Sequence, residues 1–254
     1  MEGRAVALDT ASAMESFILY LPIFTTVVAI TFATAIARRY RARRGGPHLA
    51  WWTFGALSYA AGTAVEASVT LFGWTPVLFR LWYIFGALLG GAPLAQGAVY
   101  LHTKPKTARR LSIALIAVVL SVSVLVFLSP LHAPEPGSHR LTGSVFVWQW
   151  VRVFSPFINL YAFAFLAGGA IRSAIHFMTE RGAADQMWGN LFIAAGALLP
   201  GIGGSFTRFG YTEVLYVTEL LGIILIYVGF RRATRGVDAR RAGKARSISL
   251  VAAR

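Results

Sequence analysis

The chain has no cysteine. That excludes disulfides, thiolate metal sites, iron–sulfur clusters and cysteine nucleophiles, and it leaves the redox compartment unread. Charge is scarce: charged residues of both signs make up 13% of the sequence, and only 10 of them are acidic. A soluble domain carries roughly 25%. Lysine occurs only at 104, 106 and 244, outside every long apolar stretch, so no buried amine is available for a Schiff base. The five histidines, His48, His102, His132, His139 and His176, lie at the ends of those stretches or between them, where they cannot hold a haem. A metal shared by His48, His102 and His176 lacks the close spacing and carboxylate companions that ligating histidines have. Neither GxSxG nor HExxH occurs. No catalytic residue, metal ligand or cofactor is expected.

What the chain does have is hydrophobic length. Apolar residues make up 56%, and the mean hydropathy is +0.61. Seven stretches stand out, at Ser16–Ala37, Leu49–Gly73, Pro76–Leu101, Leu111–Leu131, Val145–Ile171, Met187–Phe206 and Thr212–Phe230. Each approaches or exceeds the ~20 residues that cross a hydrocarbon core. In lipid a backbone must satisfy its own hydrogen bonds, which makes the stretches helices. The expectation is an all-α polytopic membrane protein with seven transmembrane helices. With seven spans in 254 residues, little chain is left for a soluble domain.

The net charge of +14 invites a nucleic-acid partner, but its distribution argues for a membrane. Arg38, Arg39, Arg41, Arg43 and Arg44 follow the first stretch; Lys104, Lys106, Arg109 and Arg110 follow the third; Arg172 and Arg181 follow the fifth. Eight more lie in the tail after Phe230, so 19 of the 24 basic residues fall on one side. The positive-inside rule makes that side cytoplasmic, with the N-terminus outside and the C-terminus inside. Glu2, Asp9 and Glu15 agree with an outer N-terminus. No basic leader precedes the first stretch, so that stretch is expected to be retained. Arginine far above lysine, with abundant alanine and glycine, fits a GC-rich bacterial genome and an inner-membrane location. The 231–254 tail is expected to be a disordered topology anchor. Anionic lipid headgroups or a protein partner are its expected contacts, each surface-adjacent basic residue contributing about 1 kcal/mol.

A shift of 137 residues lays the second and third stretches on the sixth and seventh. Trp51 falls on Trp188, Ser68 on Ser205 and Thr70 on Thr207. The turn Phe72-Gly73-Trp74-Thr75 falls on Phe209-Gly210-Tyr211-Thr212. The pattern suggests a parallel 3+1+3 duplication, with residues 16–101 as one repeat, 111–131 as a linking helix and 145–230 as the second. Parallel repeats are a transporter theme. This layout resembles the SWEET sugar transporters and, more broadly, rhodopsin-like seven-helix bundles. Pro22, Pro156 and Pro200 are similar to the hinge prolines of SWEET repeats. The resemblance implies solute transport at the interface between repeats.

Four ionisable residues fall inside the stretches: Glu66, Arg80, Arg152 and Glu219. Such residues are expensive in lipid and mark function by default. At 1.5 Å per residue, Glu66, Arg152 and Glu219 sit ~10 Å below the outer rim and Arg80 ~6 Å. Two acids and two bases in one layer suggest acid–base pairing, which lowers the burial cost. Arg208 and Glu213 are placed at the rim itself. Gln149, Asn159 and Tyr216 are candidate hydrogen-bonding neighbours and Trp82 a candidate wall. Pro200-Gly201-Ile202-Gly203-Gly204 is expected to break the sixth helix and to expose backbone near Gly203, a feature of transport sites. Gly86 and Gly90 form a GxxxG packing pattern. The candidate ligand-binding set is therefore Glu66, Arg80, Trp82, Gln149, Arg152, Asn159, Gly203, Tyr216 and Glu219. The favoured function is transport of a small molecule through an outward-opening polar pocket. A ligand- or lipid-sensing receptor acting through a cytoplasmic partner, and a structural subunit of a membrane complex, stand beside it.

Overall fold

The computed structural model describes residues 18–42, 45–132, 141–207, 209 and 211–252. The acidic N-terminal segment, Arg43, Arg44, His139, Arg208, Gly210 and Arg254 lie outside the described residues. Helix α1 spans Leu21–Ala42 and α2 spans Pro47–Phe72. The third span consists of α3 (Pro76–Trp82), a π-helical segment (Tyr83–Leu88) and α4 (Ala92–His102). Helix α5 covers Pro105–Leu128. The fifth span runs through α6 (Phe154–Ala162), a second π segment (Phe163–Ala167) and α7 (Gly168–Met178). Helices α8 (Ala184–Thr207) and α9 (Thr212–Ala252) complete the bundle. Among the described residues there are no β-strands beyond one isolated Leu131–Phe146 bridge.

Six of these segments are long and apolar enough to cross a membrane: Leu21–Ala42, Pro76–His102, Pro105–Leu128, Gln149–Met178, Ala184–Thr207 and Glu213–Arg240. Helix α2, 26 residues long, is not one of the six. Its position sets it apart. It packs against α1 and the third span, and Tyr59 reaches α9, so its buried face carries Ser58, Tyr59, Thr63 and Glu66. An interior helix has less need of a lipid-compatible surface than a peripheral one.

The helices close in the order α1, α2, third span, fifth span, α8, α9, with α9 returning to α1. Helix α5 stands to one side, packed on the third span and residues 149–153, and leaves Ile113, Leu120, Val124 and Leu128 exposed. One apolar cluster joins Phe32, Ile36, Leu94, Leu166, Ile223 and Phe230. A second joins Phe79, Tyr83, Val122, Val126, Phe146 and Ile158 nearer the 141–153 loop.

The closest helix pair is α8–α9. Gly189, Gly196 and Gly203 recur every seven residues on α8, as do Gly222, Gly229 and Gly236 on α9. A Cβ on Gly196 would lie 2.5 Å from the Gly222 carbonyl oxygen, and one on Gly189 would lie 2.7 Å from that of Gly229. Small residues let backbones approach this closely, and dispersion over the long contact then holds the pair. The Gly86 pattern packs similarly: a Cβ on Gly62 of α2 would lie 3.3 Å from the Gly86 amide nitrogen. At the end of α2, Gly73 takes φ +86° and donates its N–H to the Val69 carbonyl, and Thr75 then caps α3 by accepting from Leu78. A left-handed φ there requires glycine.

Three sequence expectations change. Helix α8 is not broken: it runs through Pro200–Gly204, and the Gly203 surface is taken up by Leu215 and Thr218 of α9. Gly203 serves close packing while Gly201 and Gly204 face open space, and tertiary contact overrides weak helix propensity. The fifth helix does not begin at Val145. Residues 143–145 and 149–153 form 3₁₀ turns, with Val145, Phe146 and Val151 buried and Val147, Trp150 and Val153 exposed. This is an apolar cap that composition alone cannot tell from a span. The tail, expected to be disordered, continues α9 as helix to Ala252. Pro22 and Pro156 sit in the first turns of α1 and α6, where a missing amide donor costs nothing, and Pro200 alone of the three lies inside a helix.

Candidate functional site

Glu66 is six residues before the end of α2, Trp82 six after the start of α3 and Glu219 seven after the start of α9. At 1.5 Å per residue all three lie about 10 Å from the same end of the bundle. The indole N–H of Trp82 donates to Glu66 Oε1 at 2.8 Å. The Glu66 and Glu219 carboxyls lie within electrostatic reach of each other. Oε2 of each glutamate is buried with no donor from the described residues. Glu66 is 3% exposed.

The surroundings tie four helices together. Tyr59 is seven residues before Glu66 on the same face of α2 and donates its hydroxyl to the Glu219 carbonyl at 2.9 Å. Tyr216, one turn before Glu219, is buried within electrostatic reach of both acids. Thr26 of α1 and Thr63 of α2 share a hydrogen bond of 2.9 Å. Toward the 141–153 loop, Trp82 packs on Phe79, and Phe79 and Tyr83 pack on Phe146, with ring centroids 4.9 Å and 4.8 Å apart. Aromatic rings therefore stand between Glu66 and that loop.

The bases do not join the acids. Arg80 donates to the carbonyls of Val126 at 3.3 Å and Ser129 at 3.2 Å, and lies over the Phe127 ring. It satisfies carbonyls that the C-terminal turn of α5 leaves open, an arrangement that also suits the helix dipole. Arg152 sits in the 3₁₀ turn before α6, half-buried, and donates to Gln149 Oε1 at 2.7 Å. It follows that the fifth helix starting later than expected removed Arg152 from the acid layer. Gln149 and Asn159 are exposed, and Gly203 packs on α9. Of the nine candidates, the structure brings together Glu66, Trp82, Tyr216 and Glu219. It adds Tyr59, which its seven-residue spacing from Glu66 would have flagged.

Among the described residues no group of three or more His, Asp or Glu side chains is arranged to hold a metal. At the basic end, ion pairs fasten α9: Arg39 to Asp238 through two 3.0 Å bonds, Arg232 to Asp185 at 2.9 Å and Arg240 to Glu180 at 2.6 Å. The bond from Arg240 holds the Glu180 carboxyl below the usual carboxylate range.

No protein-family model matches the chain, and no curated protein or solved structure matches it. Fold and site define its class by themselves: it is a multi-pass, all-helical membrane protein with a carboxyl pair in its interior.

Proposed function

We propose that the protein is a proton-coupled transporter of a small solute in a bacterial inner membrane. It has seven spans, an outer N-terminus and a cytoplasmic C-terminus, and Glu66 and Glu219 exchange the coupled proton. The observation that carries this is the nearness of two carboxyls, one from α2 and one from α9, each with a buried oxygen that has no hydrogen-bond partner among the described residues. Two like groups so placed hold one proton between them readily and two negative charges only at high cost. A scaffold would pair acid with base. A site that loads and releases a proton has reason to pair acid with acid. Because the pair bridges two helices, its protonation state bears directly on how α2 and α9 sit together.

The duplication reading is supported by the same cluster. Under the 137-residue shift Glu66 corresponds to Gly203 and Trp82 to Glu219. Glu66 with Trp82, and Gly203 with the Leu215–Thr218 turn, mark the same helix–helix crossing in each half. The peripheral place of α5 is what a linking helix requires.

The test is proteoliposomes loaded with a pH-sensitive dye and screened against a panel of sugars, amino acids and small organic ions. At least one solute should evoke proton movement in the wild type. Glu219→Gln should abolish it, and Arg80→Met should keep it. Solute uptake without proton movement, or proton movement that survives Glu219→Gln, overturns the coupling. No response to any solute would favour the receptor reading, which the basic helical extension of α9 also suits.

A further inference from the structure

We propose that the cleft between α1 and α9 at the basic end of the bundle binds the phosphate headgroup of an anionic glycerophospholipid. The cleft has a volume of about 520 Å³. That is within the roughly 300–1,000 Å³ of ligand sites, enough for a headgroup and glycerol, while two acyl chains would have to lie outside it. One half is cationic: Arg38 from α1, and Arg231 and Arg235 from α9. Among the described residues none of these three makes an ion pair, whereas the acid in the cleft, Asp238, is engaged by both amino groups of Arg39. Arg231 is held toward the cleft. It donates to the Tyr227 hydroxyl at 3.1 Å, with its guanidinium 5.8 Å from the centre of that ring. A guanidinium positioned this way retains further donors for phosphate oxygens.

The other half is apolar. Ile30 lines it two turns from Arg38, with Tyr227 and Phe230 opposite. Ile30 is 49% exposed and Val27, the next turn along, 60%, so this wall continues into the bilayer-facing surface of α1. A free phosphate would use only the arginines, but a phospholipid uses both halves: phosphate at the arginines, acyl chain along α1. A second cleft of about 480 Å³ on the opposite flank of α9 shares Tyr227, Arg231 and Arg235. The two arginines thus form a ridge between two grooves, and their charge serves either side. The arginines also stand where the apolar stretches end, at headgroup depth, where anionic lipid attracts basic side chains.

The experiment is native mass spectrometry of the full-length protein in detergent. It is titrated separately with phosphatidylglycerol, phosphatidylcholine and inorganic phosphate. Phosphatidylglycerol should bind at least tenfold more tightly than either of the others. The Arg38→Gln/Arg231→Gln/Arg235→Gln variant should weaken it by about fivefold per arginine removed. The Arg109→Gln/Arg110→Gln/Arg172→Gln variant removes the same charge elsewhere on the basic side and should leave it unchanged. Should the first triple variant fold poorly, Arg235→Gln alone, at an exposed position, should still show the single fivefold step. Equal weakening by both triple variants would mean a general surface effect and overturn the site. Equal binding of phosphatidylcholine, or phosphate binding as tight as the lipid, overturns it too. None of these outcomes depends on whether Glu66 and Glu219 carry a proton.

Discussion

Trp82 and Glu66 meet across the interface of α2 and α3, the indole nitrogen 2.8 Å from the carboxyl oxygen. Tryptophan can only donate and an ionised carboxylate can only accept, so this bond survives either protonation state of Glu66 at the other oxygen. It fixes Oε1, while Oε2 is buried with no hydrogen-bond partner among the described residues.

Glu66→Gln keeps an acceptor for Trp82, whereas Glu66→Leu removes it. The leucine variant strands the indole N–H in the interior and should lose about 1–3 kcal/mol more stability than the glutamine variant. Thermal unfolding in detergent separates the two. Both should lose solute-evoked proton movement. Equal stability of the two variants would show that the Trp82 bond contributes nothing.

Arg80→Met should reduce stability by about 1.5–3 kcal/mol, the range for hydrogen bonds to a charged group, since the Val126 and Ser129 carbonyls lose their donor. Transport should persist. A variant that folds at wild-type stability and yet fails to transport would return Arg80 to the site.

Gly196→Leu places a side chain where the Gly222 carbonyl oxygen already stands. Overpacking costs about 1–3 kcal/mol when neighbours can shift, and here the neighbour is backbone. The unfolding midpoint should fall clearly. Gly201→Ala, with open space around its position, should change it little.

Glu180 is held below its ordinary value chiefly by its hydrogen bond from Arg240. The folded value lies below the unfolded one. Its contribution is therefore full above the usual ~4.3 and is lost as pH falls through the lowered value. Because the chain lacks cysteine, Gly243→Cys gives a single spin-label site beyond Arg240. Label mobility should be constant from neutral pH down to that range and rise below it. Arg240→Gln should show the higher mobility already at neutral pH.

The helical spans were legible because their signal is hydrophobic length, which few other structures share. The two acids were legible for the same reason, as a charge inside such a stretch is rare. Their partners were not. Arg80 and Glu66 were assigned to one layer, but depth says nothing about azimuth, and Arg80 faces α5 instead of α2. Arg152 was misplaced because Val145–Trp150 is apolar enough to be counted as helix, although it folds as a cap. Gly203 was taken for a flexible break. The information that decides otherwise is the seven-residue spacing Gly189, Gly196, Gly203 opposite Gly222, Gly229, Gly236, and it emerges only when both helices are compared.

The unbroken length of α9 has a mechanical consequence. From Thr212 to Ala252 it is a rod of about 60 Å, with Glu219 near one end and Arg235 some 24 Å further along. The backbone of α9 approaches α8 equally closely at Gly222 and at Gly229, and a pivot at the first of these gives the longer arm. A tilt of about 5° there would hardly move the carboxyl, three residues away. The same tilt would swing the far end, thirty residues and about 45 Å off, by about 4 Å. The rod is a lever with unequal arms, on which a change too small to open a cavity around Glu219 becomes, at the basic end of the helix, a displacement as large as a side chain.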